Sequence, residues 1–240
     1  MLKADLHVHT CLSPCGAVGM SPDRIARRAS ELGIDILCIC DHNSAENTVA
    51  AVEAGRCHGV HVLAGLEVCS AEEVHVLAMF GDPGLALELQ EIVYRHLPGT
   101  NDEEMFGMQV IASAEDEVLG FCQRLLIGAT TLGIEEIVRI THGLGGLSVA
   151  AHVDRESFGL MGQLGFVPEG LALDALEVSS ALSLPEARRR FGADVPVIRS
   201  SDAHELDEMG RAFTVLSVES ADIGEVRKAL EGREGRRILR

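Results

Sequence analysis

The chain lacks most of the side chains with which proteins attract or stack on nucleic acid. It has no tryptophan and one tyrosine, and its 20 lysines and arginines face 37 aspartates and glutamates. The formal net charge of −17 repels phosphate backbones, and the aromatic platforms on which single strands stack are scarce. Long nucleic acids are therefore disfavoured as partners.

Long apolar runs and disulfide motifs are also absent. Although 47% of the residues are hydrophobic, no run reaches the roughly 18 apolar residues of a membrane span. The N-terminus lacks the basic and apolar regions of a signal peptide. The seven cysteines are odd in number and form no C-x-x-C motif, which is typical of reduced thiols. These features predict a cytoplasmic protein that does not enter a membrane.

What the chain does have is an alternation of helical and strand-like segments. Its 240 residues are enough for one substantial core. The short apolar runs, bounded by glycine, proline or aspartate, are typical of buried parallel strands. We count about seven of them in the sequence, separated by helices. The pattern predicts an α/β fold, a parallel barrel in one domain that spans residues 1–240.

Residues 98–131 interrupt this alternation. The segment is acidic and contains two short apolar stretches, Met108–Ala112 and Val118–Phe121, on either side of the turn-like Ser113–Glu117. Two strand-like stretches around a turn are typical of a hairpin, and long connections in compact domains are often functional. We predict a hairpin excursion that is a candidate lid.

Metal-ligand side chains gather where the apolar runs begin or end. Polar groups at strand ends are where α/β folds place their chemistry. Six of the ten histidines belong to this set. The residues are His7, His9, Asp41, His42, Glu67, His75, His152, Asp202 and His204.

The spacing within this set suggests a metal cluster. His7 and His9 are two residues apart on a strand and point to one face, as do Asp202 and His204. One such pair can be structural, but several together favour ligation. Mixed imidazole and carboxylate ligands suit Zn, Mn or Fe. The set is too large for one tetrahedral ion, so we expect two or three divalent ions with Glu67 between them.

In order along the chain, these motifs resemble those of the PHP (polymerase and histidinol phosphatase) superfamily. They are Asp5-Leu6-His7-Val8-His9-Thr10, Cys40-Asp41-His42-Asn43, Gly65-Leu66-Glu67-Val68, Glu73-Val74-His75-Val76-Leu77, Ala151-His152-Val153-Asp154-Arg155 and Ser201-Asp202-Ala203-His204. The resemblance spans nearly the whole chain. It implies a distorted TIM-like barrel of seven βα units, a trinuclear metal site, and hydrolysis of phosphate esters by a metal-activated hydroxide.

The resemblance also implies a role for each residue. The three ion sites would be formed by His7, His9 and Asp202, by Glu67, His75 and His152, and by His42 and His204. Glu67 would join the first two ions, and Asp5 and Asp41 would act in catalysis or support the ligands. Five or six residues after H-x-H, where the family usually has a third-site His or Asp, this chain has Cys15. A Cys15 thiolate can bind Zn or Fe. Alternatively, Cys15 is a turn residue and the third ion is weak or absent.

Three arginines are candidates for binding the phosphoryl group. Arg155 follows the ligand His152, Arg199 precedes Asp202, and Arg124 lies in the excursion. A guanidinium can bind phosphate oxygens bidentately. For each arginine, a structural or surface ion pair is an equal alternative.

The function that we expect is hydrolysis of a small phosphorylated metabolite or nucleotide. A first alternative is a regulatory or accessory protein whose metal cluster is structural. A second is a metal-dependent amidohydrolase, which would have an eight-stranded barrel and often a bridging lysine. Lys3 and Lys228 are the only lysines, and neither follows an apolar run at a suitable position.

Overall fold

The computed structural model describes residues 1–191 and 195–239. No helix in these two ranges is both long and apolar enough to cross a bilayer. The elements, in chain order, are β1 Leu2–Val8, α1 Pro22–Glu31, β2 Ile36–Ile39, α2 Thr48–His58, β3 His61–Cys69, β4 His75–Phe80, α3 Pro83–His96, α4 Glu103–Phe106, β5 Val110–Ala112, β6 Val118–Phe121, α5 Ile134–Gly143, β7 Leu147–Ala150, α6 Leu160–Leu164, β8 Ala175–Val178, α7 Leu184–Phe191, β9 Val197–Arg199, β10 Thr214–Ser217, α8 Ile223–Glu231 and β11 Arg237–Ile238.

Seven strands form a distorted barrel, as the sequence predicts. The order in the main sheet is β11-β10-β1-β2-β3-β4-β7-β8-β9. Beyond β9 the chain returns to β1, where Val8 forms a parallel bridge with Ala203 and the His9 amide donates to the Ala203 carbonyl at 3.0 Å. This contact brings the two ends of the seven-stranded series together, while β10 and β11 extend the sheet outside it.

One strand corrects the prediction of an all-parallel barrel. Strand β4 is antiparallel to both β3 and β7, with Cys69 opposite His75. Only residues 70–74 connect β3 to β4, and a parallel crossover needs a dozen or more residues. The reversal places the first residue of β4 beside the carboxyl ends of its parallel neighbours. His75 therefore faces the same barrel mouth as the residues that follow the other strands.

The barrel is filled and covered by apolar side chains. One cluster receives residues from all seven barrel strands, including Leu6, Leu63, Leu77 and Ile198, and from α8. A second cluster packs α3 and α5 against the sheet, and a third packs α1 and α2. Burial on both faces explains why the strands read as nearly continuous apolar runs.

The segment 98–131 contains the hairpin β5–β6 and the short helix α4. Its first strand is tied to the barrel loops, because the Val110 amide donates to the Cys11 carbonyl and Asn47 Nδ2 donates to the Val110 carbonyl. Asn43 Nδ2 donates to the carbonyls of Leu126 and Gly128 at 2.8 Å each. These bonds hold the end of the excursion against the barrel mouth.

Candidate metal centre

The predicted ligands converge at one mouth of the barrel. His7 lies near the end of β1, and His9 and Cys15 follow that strand. Glu67 lies near the end of β3, His75 begins β4, and the others follow β2, β7 and β9. The histidines, aspartates and glutamate among them are buried, except for the half-buried His204, whereas Cys15 is exposed. Three groups of residues have ligand atoms that all lie within 4.8 Å of one another. The groups are His7, His9 and Asp202; His42, Glu67 and His75; and His9, His42 and His204.

Backbone strain accompanies this convergence. His152 has φ +29° and Asp202 has φ +50°, in the left-handed region that residues other than glycine rarely adopt. Such conformations cost about 1–3 kcal/mol each and persist where the surroundings enforce them, often at functional sites. Here they turn both side chains toward the cluster.

The first group fits a divalent cation. The Nε2 atoms of His7 and His9 are 3.0 Å apart, and Asp202 Oδ1 lies 3.3 Å from the first and 3.1 Å from the second. Two nitrogen ligands of one tetrahedral ion, with bonds of about 2.0–2.1 Å, lie about 3.3–3.4 Å apart. The donor atoms are therefore spaced as ligands of one ion would be.

The hydrogen bonds on the far sides of the two rings favour the same arrangement. His7 Nδ1 donates to Glu177 Oε1 at 3.0 Å. Ser13 gives its hydroxyl proton to Asp41, so its oxygen accepts from His9 Nδ1 at 2.9 Å. These bonds place the Nε2 lone pairs of both rings toward the cluster when the rings are neutral.

The charges around His7 favour a positive charge at the first group. Burial lowers the pKa of His7, but Glu177, Asp202 and Glu67 outweigh it and raise the pKa well above its ordinary value. Burial and the nearby His204 and His42 hold the pKa of His9 well below its ordinary value. The carboxylates around His7 therefore favour positive charge at this position, which a divalent ion would supply.

Glu67 lies at the centre of the cluster. Its Oε1 is 2.8 Å from His75 Nδ1 and 3.1 Å from His152 Nε2, and its Oε2 is 2.9 Å from His42 Nδ1. Burial raises the pKa of Glu67, but His75, His7 and His42 outweigh it and hold the pKa well below the usual range. Both carboxylate oxygens face nitrogen ligands from different strands, as a residue that joins two ions would.

Cys15 lies beside the third group. Its Sγ is 3.2 Å from His42 Nε2, while His42 Nδ1 faces Glu67. Burial raises the pKa of the Cys15 thiol, but hydrogen bonds with His204 and His42 outweigh it and lower the pKa to about 7. The geometry brings together the atoms His42 Nε2 and Cys15 Sγ, with the half-buried His204 also next to Cys15.

Asp41 and Asp5 support other groups and do not face the cluster. Asp41 accepts from the Thr10 amide, the Thr10 hydroxyl and the Ser13 hydroxyl, each at 2.7 Å. Asp5 accepts from the Ser201 amide at 2.9 Å, and burial raises its pKa to about 6. Asp41 thereby positions the loop after β1, and Asp5 ties β1 to the segment after β9.

Glu177 is a buried acid near the cluster that the sequence interpretation missed. Its Oε1 accepts both from His7 Nδ1 and from the His152 amide, at 3.0 and 3.2 Å. Its Oε2 is buried without a partner in the described structure. The signal was present in the sequence, because a glutamate inside the apolar run Ala175–Val178 requires a buried partner.

A cavity of about 240 Å³ opens over the cluster. Of the three candidate arginines, only Arg155 lines it, and its Nη1 lies 2.6 Å from Asp202 Oδ2. Arg124 stacks on Tyr94 and donates to the Tyr94 carbonyl at 3.0 Å. Arg199 donates to the Ser180 carbonyl and lines a different cavity. Arg124 and Arg199, which the sequence suggests as phosphate-binding residues, therefore do not line the cavity over the cluster.

Comparison with protein families agrees with this geometry. A sequence model of the PHP domain matches residues 5–143, more than half of the chain. The chain belongs to the PHP domain family. A second model, described as PHP-associated, matches residues 192–234, which include Asp202 and His204.

The proteins similar to this PHP chain include one bacterial relative and two solved structures. Bacillus subtilis YqxK is 28% identical over 256 residues, which cover 99% of this chain and 64% of YqxK. The lesion-specific endonuclease Q of Pyrococcus furiosus has a TM-score of 0.72 at 20% identity. The match covers 99% of this chain and 57% of the endonuclease Q chain. A Bifidobacterium adolescentis protein described as a metal-dependent phosphoesterase has a TM-score of 0.61 at 20% identity, with 94% of both chains covered.

At 20% identity, the two solved structures show a shared fold. The PHP chain spans 64% of YqxK and 57% of the endonuclease Q chain, so both are substantially longer. Endonuclease Q has also been solved with a 27-mer duplex that carries an abasic lesion at the active site.

Proposed function

We propose that this PHP chain is a metal-dependent hydrolase of phosphate esters. The observation that carries the proposal is the meeting of three potential ion sites around Glu67. His7, His9 and Asp202 would hold one ion, and His75 and His152 would hold a second with Glu67 between the two. The imidazole and carboxylate donors suit Zn, Mn or Fe.

Divalent ions held there would supply a water molecule of lowered pKa and would neutralise charge on the phosphoryl oxygens. The residues of the chain prepare the rest of the reaction. Burial of Glu67 and Asp202 keeps bulk water away from their carboxylates. Arg155 is 45% exposed at its side chain, so its guanidinium can reach an ester in the cavity while it remains next to Asp202.

The proposed substrate is a small phosphorylated metabolite or nucleotide whose phosphate group enters the cavity. The net charge of −17 disfavours long polyanions in general, whereas the cation site attracts a single phosphate group. Endonuclease Q has the same fold and binds duplex DNA. The terminal nucleotide of a nucleic acid therefore stays among the candidate substrates.

The alternative functions receive less support from the residues present. An amidohydrolase with a bridging lysine needs a lysine at the cluster, but Lys3 Nζ donates to the Leu32 carbonyl and Lys228 pairs with Glu225 and Glu234. A vestigial cluster in a regulatory protein would have lost ligands, whereas all eight predicted imidazole and carboxylate ligands lie together here.

The experiment combines metal analysis with hydrolysis of p-nitrophenyl phosphate. We expect two or more transition-metal ions per chain and release of p-nitrophenol. His9→Ala and Asp202→Ala should each abolish turnover and lower the bound metal, while His61→Ala, which alters an exposed histidine, should change neither. Unchanged turnover in both ligand variants would overturn the assignment.

A further inference from the structure

We propose that Phe158 and Ile127 form an apolar rim that selects esters whose leaving group carries a planar nucleobase. This inference rests on the proposed function and names the substrate class, a nucleoside phosphate. The two side chains line the cavity together with the ligand-type residues and Arg155. The cavity thus has a charged floor and an apolar edge.

Phe158 is held in place at an energetic cost. Its φ is +58°, in the left-handed region where a bulky side chain is strained. Its ring stacks on His75, with centroids 4.6 Å apart and an angle of 17° between the planes, and its carbonyl accepts from the His75 amide at 3.0 Å. Yet 38% of Phe158 is exposed. A strained backbone that keeps an aromatic ring partly in solvent at the cavity edge indicates that the ring has a functional role.

Ile127 approaches the cavity from the excursion at residues 98–131. Asn43 Nδ2 donates to the carbonyls on either side of it, those of Leu126 and Gly128, at 2.8 Å each. Asn43 itself has φ +52°, and its Oδ1 accepts a hydrogen bond from the Cys69 amide at 3.1 Å. The hydrogen bonds of Asn43 therefore fix the backbone on both sides of Ile127 and so position its side chain.

The size of the cavity determines which part of a substrate meets this rim. Sites that enclose whole small ligands measure roughly 300–1,000 Å³, and this cavity measures about 240 Å³. A phosphate group at the cluster leaves the remainder of a nucleotide at the edge. Every base has a flat face that stacks on an aromatic ring regardless of its sequence, so Phe158 provides binding without discriminating among bases.

The test compares ring-bearing and ring-free phosphate esters on the metal-loaded chain. The substrates are adenosine 5′- and 3′-monophosphate, a phosphorylated tetranucleotide and glycerol phosphate. Stacking on one aromatic ring is typically worth a factor of about 5 to 150. Phe158→Ala should raise KM for the ring-bearing esters by that factor, leave kcat, bound metal and the KM for glycerol phosphate unchanged, and Phe158→Tyr should restore the wild-type KM.

Ile127→Ala should act in the same direction with a smaller effect, and Phe166→Ala is the matched control. Phe166 is 60% exposed and lines a different cavity. An equal rise of KM for glycerol phosphate, or loss of bound metal in Phe158→Ala, would show that Phe158 only supports His75 and would overturn the inference. Comparing the mononucleotides with the tetranucleotide shows whether free nucleotides or strand ends are preferred.

Failure of the proposed function has a different signature. A wild-type chain that binds metal but hydrolyses none of these esters would refute phosphoester hydrolysis. Equilibrium binding of adenosine monophosphate to the wild type and to Phe158→Ala then decides the inference by itself. Weaker binding in the variant supports the rim, and equal binding refutes it.

Discussion

Glu177→Gln is the substitution that tests most closely how the protein prepares the first ion site. Glutamine keeps the shape of the side chain, and its carbonyl oxygen can still accept from His7 Nδ1 and from the His152 amide. The substitution removes the negative charge and replaces Oε2, which has no partner in the described structure, with an amide NH2. A carboxylate behind a histidine ligand raises the basicity of that ligand and fixes its tautomer.

The expected magnitude follows from the hydrogen bond to His7. A bond to a charged acceptor contributes about 1.5–3 kcal/mol and a neutral one about 0.5–1.5 kcal/mol. The difference, about 1–1.5 kcal/mol, corresponds to a roughly tenfold weaker affinity for one ion. The charge of Glu177 also favours the proton that competes with the ion on His7. The net loss should therefore be near tenfold, the lower end of the 10–100-fold that is typical of such partners.

The assay is a competitive titration of the metal-free chain with Zn or Mn in the presence of a chelator. Glu136→Gln, which alters an exposed glutamate on α5, is the matched control and should bind like the wild type. Circular dichroism establishes that both variants are folded. If Glu177→Gln binds every ion as tightly as the wild type, the assignment of Glu177 as a positioning residue is wrong.

Four further predictions concern single side chains around the cluster. The cobalt-substituted wild type should show a thiolate-to-cobalt charge-transfer band that disappears in Cys15→Ser and persists in Cys57→Ser, the other exposed cysteine; a band that survives both changes would exclude Cys15 as a ligand. The metal-free chain should be alkylated at Cys15 near pH 7, because the pKa of its thiol is lowered to about 7, and added Zn should protect it. Arg155→Ala should raise KM for phosphate esters by about 10- to 150-fold, the worth of a charged hydrogen bond, whereas Arg139→Ala on the surface of α5 should not; equal kinetics would remove the phosphate-binding role. Ser13→Ala should remove the hydrogen bond to His9 Nδ1 and weaken the binding of one ion, as measured by the same chelator titration. Unchanged affinity would limit Ser13 to a structural role.

Much of the candidate site could be predicted because its ligands lie at strand ends. His9, His42, His152 and Asp202 each follow a strand whose apolar pattern is unambiguous. Carboxyl ends of neighbouring strands meet at one edge regardless of loop detail, so convergence could be expected. His75 converges for a different reason, the reversal of β4, which depends on the length of one connection.

The parts that escaped prediction depend on side-chain direction and on irregular segments. Arg199 follows the pattern of a site residue, but its side chain donates to the Ser180 carbonyl, away from the cluster. Phe158 lies between β7 and α6, in a stretch without apolar periodicity, and its left-handed backbone has no signature in the local sequence. Such positions are determined by tertiary contacts, here the bond between the Phe158 carbonyl and the His75 amide.

The most direct test of the central claim is anomalous X-ray diffraction from crystals of the chain reconstituted with Zn or Mn. We predict at least two anomalous peaks, one among His7, His9 and Asp202 and one among Glu67, His75 and His152, and a third beside Cys15 if its thiolate is a ligand. Crystals grown at saturating metal that contain no peak within bonding distance of these residues would contradict the account.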